Sequence, residues 1–242
     1  MVSRRRIRPL MAKKRTPDPA TPGFRYALNL THRGGTHATL LELVPEKSRV
    51  LELGCASGYL GTLLHQHGCK LWGMDSDYAA LERIPQDVYE STTHIDLDHL
   101  YTWPFPLHSA DVVLAADILE HLAKPERLLA ETHKILSPGG LLIVSLPNVA
   151  HISVRLPLLL GKFRYQQRGI LDQTHFHLYT FATASELVTS AGFTIESLHS
   201  GSDWTGWFLN DPRLSRIAKV LRGLLATNVI ITARSKWNPP HL

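Results

Sequence analysis

Residues 50–58 read Val50-Leu51-Glu52-Leu53-Gly54-Cys55-Ala56-Ser57-Gly58, an apolar run that ends in an acid and turns through small residues. Small residues let a backbone approach a ligand, and a helix opening after such a turn offers N–H groups to an anion. A dinucleotide would need G-x-G-x-x-G here to seat its pyrophosphate. The spacing found is G-x-x-x-G, and Glu52 would repel a pyrophosphate while suiting a cationic ammonium. The segment points to an amino-acid-bearing nucleoside, with a ligand-free βα turn as the plainer alternative. Twenty-one residues after Gly54 comes Asp75, placed to accept both ribose hydroxyls of an adenosine; Asp75, Ser76 and Asp77 also suit a helix N-cap. Asp96, after Thr93-His94-Ile95, can accept an adenine amine. Asp117-Ile118-Leu119-Glu120-His121 offers His121 as a general base. His175 and His177 are the next candidates, and their i, i+2 spacing turns only one of them toward a pocket if the segment is extended. For His121 the alternative is packing at a helix start, and for His175 and His177 it is a hydrogen-bonded scaffold role.

The elements that must position these residues alternate from about residue 35 onward, the mark of βαβ units around a parallel sheet. A lead-in helix is expected at 38–44, strands at 49–53, 70–74, 88–95, 111–116 and 141–146, and helices at 59–67, 78–83 and 125–136. Ser137-Pro138-Gly139-Gly140 reads as a turn. The run Asp111-Val112-Val113-Leu114-Ala115-Ala116 has the length and branching of a strand buried on both faces. Residues 148–182 break the alternation and read as an irregular insertion over a substrate pocket. A helix at 184–191, a strand at 193–199, a helix at about 211–225 and a strand at 228–233 complete the chain.

Size and composition set the remaining bounds. The 242 residues suit one large domain, with 44% hydrophobic and 19% charged residues as in ordinary globules. No apolar run approaches a membrane span of about 18 residues. No apolar core follows the basic N-terminus, so it does not read as a secretory signal. The two cysteines, Cys55 and Cys69, read as reduced thiols, and a cytoplasmic location is expected. The net charge of +5 is carried by residues 1–22, where Arg4, Arg5, Arg6, Arg8, Lys13, Lys14 and Arg15 face only Asp18. That leader holds +6 and leaves about −1 for the body, which argues against a nucleic-acid-tracking surface. Residues 1–22 are expected to be a disordered basic tail, 23–236 the domain and 237–242 a C-terminal tail.

Taken in order, VLELGCASGYL (50–60), LWGMDSD (71–77), HID (94–96), ADVVLAADILEHL (110–122), LSPGGLLIVSLPN (136–148) and GILDQTHFHLYT (169–180) resemble the class I S-adenosylmethionine-dependent methyltransferases. The likeness is to the bacterial branch that includes the ubiquinone-biosynthesis O-methyltransferases. It implies an α/β, doubly wound, seven-stranded and mostly parallel sheet whose last strand is antiparallel. It implies S-adenosylmethionine as cofactor, held by Arg33, Glu52, Gly54, Cys55, Gly58, Asp75, Ser76, Asp96, Leu97, Ala116 and Asp117. Arg33 enters because an arginine about this far before the glycine loop binds the cofactor carboxylate in ubiquinone-type enzymes. Ala56 departs from the family's usual glycine, and a slightly shifted loop with retained binding is expected. In such relatives an acid–x–x–Glu–His spacing accompanies a divalent metal, and Asp117, Glu120 and His121 match it; no metal ligand set is assigned on that basis.

The implied activity is methyl transfer to a small-molecule acceptor, an O-methylation of a quinone-, glycan- or secondary-metabolite-type substrate, with His121 or His175 polarising the reacting group. Two rival readings stand beside it: a catalytically silent scaffold and a macromolecule methyltransferase. The base-amino signature is missing after the fourth strand, and Glu52, Asp75 and Asp96 are all retained. The insertion at 148–182 forms the lid, or else makes a dimer or peripheral membrane contact through Arg155 and Lys162 beside Leu158 and Leu159.

Overall fold

The computed structural model describes residues 35–202 and 221–235. Seven strands form one sheet: β1 Arg49–Leu53, β2 Lys70–Asp75, β3 Ser91–His94, β4 Ala110–Ala116, β5 Leu136–Pro147, β6 Phe193–Gly201 and β7 Asn228–Ser235. Their order is β3-β2-β1-β4-β5-β7-β6, with β7 antiparallel to both of its neighbours. The helices are α1 Thr36–Leu43, α2 Tyr59–Gln66, α3 Tyr78–Leu81, α4 Pro125–Thr132, α5 Ile152–Leu159 and α6 Phe181–Ser190.

Alternation along the central strands divides the core in two, because successive side chains point to opposite faces. Leu51, Leu53, Val113, Ala115, Leu142 and Val144 pack with Leu128 and Leu129 of α4 and Val188 of α6. Val50, Val112, Leu114, Leu141 and Ile143 pack with Leu40 of α1 and Leu60 and Leu64 of α2. The winding direction reverses between β1 and β4, and the crevice past the carboxyl ends of strands at such a reversal is where doubly wound sheets take ligands. At the other end of the same pair, the Arg49 guanidinium donates to both Asp111 oxygens (2.6 and 3.1 Å) and fixes their register.

Several elements differ from the sequence expectation. β3 is four residues long, since only Ser91–His94 pairs with β2. Ser137-Pro138-Gly139-Gly140 is part of β5 and not a turn: pairing slips from Ala110↔Leu136 to Val112↔Leu141, so these residues form a bulge. Gly139 supplies the positive φ, and a Cβ on Gly140 would lie 2.8 Å from the Ser137 carbonyl. The segment 148–182 contains a regular helix, α5, which accommodates Pro157. Of the helix expected at 211–225, residues 221–225 are helical; 211–220, the tail 1–22, residues 237–242 and Arg33 lie outside the described residues.

Candidate functional site

The turn from β1 into α2 passes through the left-handed region at Gly54, Ala56 and Gly58 (φ 74°, 46° and 70°). An alanine there costs roughly 1 kcal/mol over glycine, which is the physical content of Ala56's departure from the usual pattern. The loop is tied down from next door. Gly54 and Cys55 N–H donate to the Met74 carbonyl, and Ala56 N–H donates to Asp75 Oδ2 at 2.7 Å. Asp75 Oδ1 accepts from Asp77 N–H at 2.8 Å. Asp75 thus braces the loop from the end of β2, half-exposed and with carboxylate lone pairs to spare, while the N-cap of α3 is Asp77. Ser76 is exposed. On the β4 side the loop meets Ile118, whose side chain would lie 2.9 Å from a Cβ on Gly54.

Glu52 turns inward. It is 3% exposed and accepts from the Tyr89 hydroxyl at 2.6 Å. Burial pushes its carboxyl up to about 7 against the opposing effect of the Tyr89 bond, with Asp75 adding to the rise. The ring of Tyr89 fits because Gly61 and Gly73 leave room: a Cβ on Gly61 would overlap its hydroxyl at 2.0 Å. Cys55 is buried, and its thiol is raised by burial and the nearby Glu52 and Asp75. After β3, Asp96 caps a single 3-10 turn at Leu97–His99 through Asp98 N–H and pairs with His99 Nδ1 at 2.8 Å. That bond holds its carboxyl below the usual range. Asp96 is exposed and Leu97 is buried.

At the end of β4, past the half-buried Ala116, Asp117 takes φ 50°. Its Oδ1 accepts from the Ser145 hydroxyl (2.7 Å) and the Asn228 amide (2.9 Å), which hold it in that strained conformation. A 3-10 turn at Leu119–His121 follows. There the segment after α5 folds back: Phe176 and His177 N–H both donate to the Glu120 carbonyl, and the His175 ring meets the Glu120 side chain. The Glu120 carboxyl is 1% exposed, and neither oxygen has a hydrogen-bond partner among the described residues. The nearest cationic-capable atom is His175 Nε2, 3.9 Å away. Burial, with Asp117 nearby, raises this carboxyl well above its ordinary value and so favours its neutral form.

The two candidate bases lie together, with ring centroids 4.7 Å apart. His121 Nδ1 faces the Thr174 carbonyl at 3.2 Å and the Thr174 hydroxyl at 3.1 Å, which assigns the proton to Nδ1 and leaves Nε2 a lone pair. The Thr174 hydroxyl in turn donates to Asp172 Oδ1 at 2.7 Å. Burial pushes the Asp172 carboxyl up, but the Thr174 bonds and the two histidines outweigh it and hold it below its usual value. His175 Nδ1 faces the Ile170 carbonyl, and burial and His121 lower its basicity. His177 points elsewhere, toward the Ala123 carbonyl at 3.4 Å. Glu120, His121 and His175 each bring a ligating atom within 4.8 Å of the others, a donor set a divalent cation would accept. Asp117, singled out by its spacing, is committed instead to Ser145 and Asn228. Tyr89, Thr174 and Asn228 carried no signal in the sequence that linked them to these acids.

The sequence profile of a methyltransferase-domain family matches residues 28–198, well over half of the chain. The chain belongs to this methyltransferase-domain family. A relative from Mycolicibacterium smegmatis, named "Probable S-adenosylmethionine-dependent methyltransferase", is 30% identical over 61% of this chain and 52% of its own length. A ubiquinone biosynthesis O-methyltransferase from Ruegeria pomeroyi is 31% identical over 53% of this chain and 53% of its own. The chain therefore spans about half the length of the curated relatives it matches. Among solved structures, an S-adenosylmethionine-dependent methyltransferase from Mesorhizobium loti aligns with TM-score 0.57 and 20% identity, covering 83% of this chain and 98% of that one. S-adenosylmethionine is the cofactor of this methyltransferase-domain family, and the residues present fit it. The small-residue turn at the switch point brings the backbone close to the crevice, and Asp75 at the end of β2 and Asp96 just past β3 stand accessible.

Proposed function

We propose that this protein transfers a methyl group from S-adenosylmethionine to a hydroxyl of a small-molecule acceptor, a quinol or phenol class compound being favoured by the ubiquinone-type relatives. When bound, the cofactor supplies an electrophilic methyl on a sulfonium. Asp75 would hold the ribose hydroxyls, Asp96 and the Leu97 backbone would meet the adenine, and the turn from Gly54 to Gly58 would receive the methionine end. Ser76, Ala116 and Asp117 would line the rest of the site, and Glu52, turned inward onto Tyr89, would support the loop from behind.

The observation that carries the reading is the line Asp172–Thr174–His121 at the same sheet edge. With its Nδ1–H donating a hydrogen bond to Thr174, His121 would take the acceptor's hydroxyl proton on Nε2 and leave the oxygen ready for the methyl that the cofactor would supply. The imidazolium so formed is stabilised through Thr174 by the Asp172 carboxylate. His175 packs against His121 and restricts its ring, and the neutral Glu120 carboxyl keeps the pocket from holding a second negative charge beside the nucleophile.

The test uses calorimetric titration with S-adenosylhomocysteine and a product-release assay over a panel of catechols, quinols and amines. His121→Ala should lower turnover by roughly 10²–10⁴-fold while leaving cofactor affinity unchanged. Asp75→Ala should weaken cofactor binding by about 2–3 kcal/mol. Normal turnover in His121→Ala removes the base, and turnover on amines alone removes the O-methylation reading.

A further inference from the structure

α5 and the residues after it form a surface that the proposed reaction does not use. Seven of the eleven large apolar side chains exposed among the described residues fall between 152 and 165, so they make a patch and not a scatter. Leu156, Leu158, Leu159, Leu160, Phe163 and Tyr165 are its body, and Leu159 is 82% exposed. The sequence of α5, Ile-Ser-Val-Arg-Leu-Pro-Leu-Leu, is apolar on most sides, yet only Val154 is buried against the domain. Exposed apolar area of this extent marks an interaction site.

The charges around it have one sign. Between residues 149 and 171 the chain carries Arg155, Lys162, Arg164 and Arg168 and no Asp or Glu. All four are exposed, and none has an ion-pair partner among the described residues. Lys162 and Arg164 also line a cleft of about 310 Å³ together with Val154, Pro157 and Leu171. That cleft sets two cations against an apolar wall.

We propose that α5 and residues 160–168 dock on a bilayer surface rich in anionic phospholipid. The leucines and Phe163 enter the boundary between headgroups and acyl chains, and the four cations meet lipid phosphates. The charge pattern selects this occupant over two others. A second copy in an isologous contact would bring the same four cations face to face. The N-terminal segment, with seven Arg and Lys against Asp18 in residues 1–22, is repelled for the same reason. The proposal stands apart from the methyl-transfer reading and does not need it.

The full chain is sedimented with vesicles of phosphatidylcholine alone and of equal parts phosphatidylcholine and phosphatidylglycerol. Each cation near an anionic surface is worth roughly a factor of five in partitioning, falling with salt. The wild-type chain should bind the anionic vesicles at least about tenfold more tightly than the neutral ones. The double variants Leu158→Glu/Leu159→Glu and Lys162→Glu/Arg164→Glu should each lose at least about tenfold of that binding. These side chains are exposed, so thermal unfolding should not move; if the leucine pair proves unstable, the charge pair carries the test. Equal binding to both vesicle types overturns the proposal. So does anionic binding kept in both variants, which would assign it to another basic segment. A dimer that the leucine pair breaks, with no vesicle binding by the wild type, overturns it as well.

Discussion

Glu52 and Glu120 are two buried carboxyls on neighbouring strand paths, and they are treated differently. Burial raises both, Glu52 to about 7 and Glu120 well above the usual range. Glu52 has the Tyr89 hydroxyl at 2.6 Å and a ring slot made by Gly61 and Gly73. Glu120 has a neighbour at 3.9 Å and no hydrogen bond on either oxygen. Leaving a buried polar group unpaired costs about 1–3 kcal/mol. Beside the Gly54 turn that cost is met by the Tyr89 hydroxyl, whereas beside Asp117 it is left standing next to two histidines. The difference separates an acid that shapes a loop from one kept neutral where chemistry is proposed.

Four experiments break or sharpen the contrast. Gly61→Ala should have the largest effect. Its methyl occupies the place of the Tyr89 hydroxyl, so Glu52 loses its partner and the ring its slot. A net loss of about 3 kcal/mol is expected after the roughly 1 kcal/mol that alanine gains in a helix. Chemical denaturation measures it, and an unchanged midpoint would show that Tyr89 does not depend on that slot. Tyr89→Phe keeps the ring and removes the bond, which makes Glu52 resemble Glu120. A loss of about 2 kcal/mol at pH 8 and a smaller one at pH 5 are expected, because the bond favours the ionised form of Glu52.

Glu120→Gln should have the opposite sign. The folded Glu120 holds a proton that the unfolded chain has released above the usual carboxylate range, so this group lowers stability as pH rises from about 4.5 toward its raised value. The amide removes that penalty. Thermal unfolding should show a gain of about 1 kcal/mol or more at pH 8 and none near pH 4. A loss at pH 8 would mean that Glu120 is ionised and paired. The smallest effect belongs to Ala56→Gly, which relieves the left-handed turn without touching either acid. A gain below about 1 kcal/mol is expected, with cofactor affinity kept.

The sheet was legible because its signals are local. Buried runs such as Val112–Ala115, and small residues after Glu52, mark strands and the switch-point turn through their own types. Element ends were less legible where tertiary pairing decides them. The glycines of Ser137–Gly140 suggest a turn, yet the pairing of β4 with β5 on either side makes a bulge. Residues 148–182 read as irregular, and a helix, α5, formed there around Pro157. At the candidate site, Asp75 could be placed by its distance from Gly54, since strand and helix lengths fix that interval. The meeting of His121 with Thr174, 53 residues on, follows from the path of a long segment over the sheet edge and leaves no mark in either local sequence.

The bond from Asn228 to Asp117 spans 111 residues. The Asn148 amide likewise donates to the carbonyl of Ala226, 78 residues on. A chain made from its N-terminus therefore completes the turn at Gly54 and its Asp75 brace long before the strand that fastens Asp117 exists. At about 5–20 residues per second the interval is roughly 8–30 s. Through that time the Gly54 turn already has its Met74 and Asp75 partners, and Asp117 lacks its clasp. The order of synthesis makes β7 a latch that sets the far wall of the crevice last.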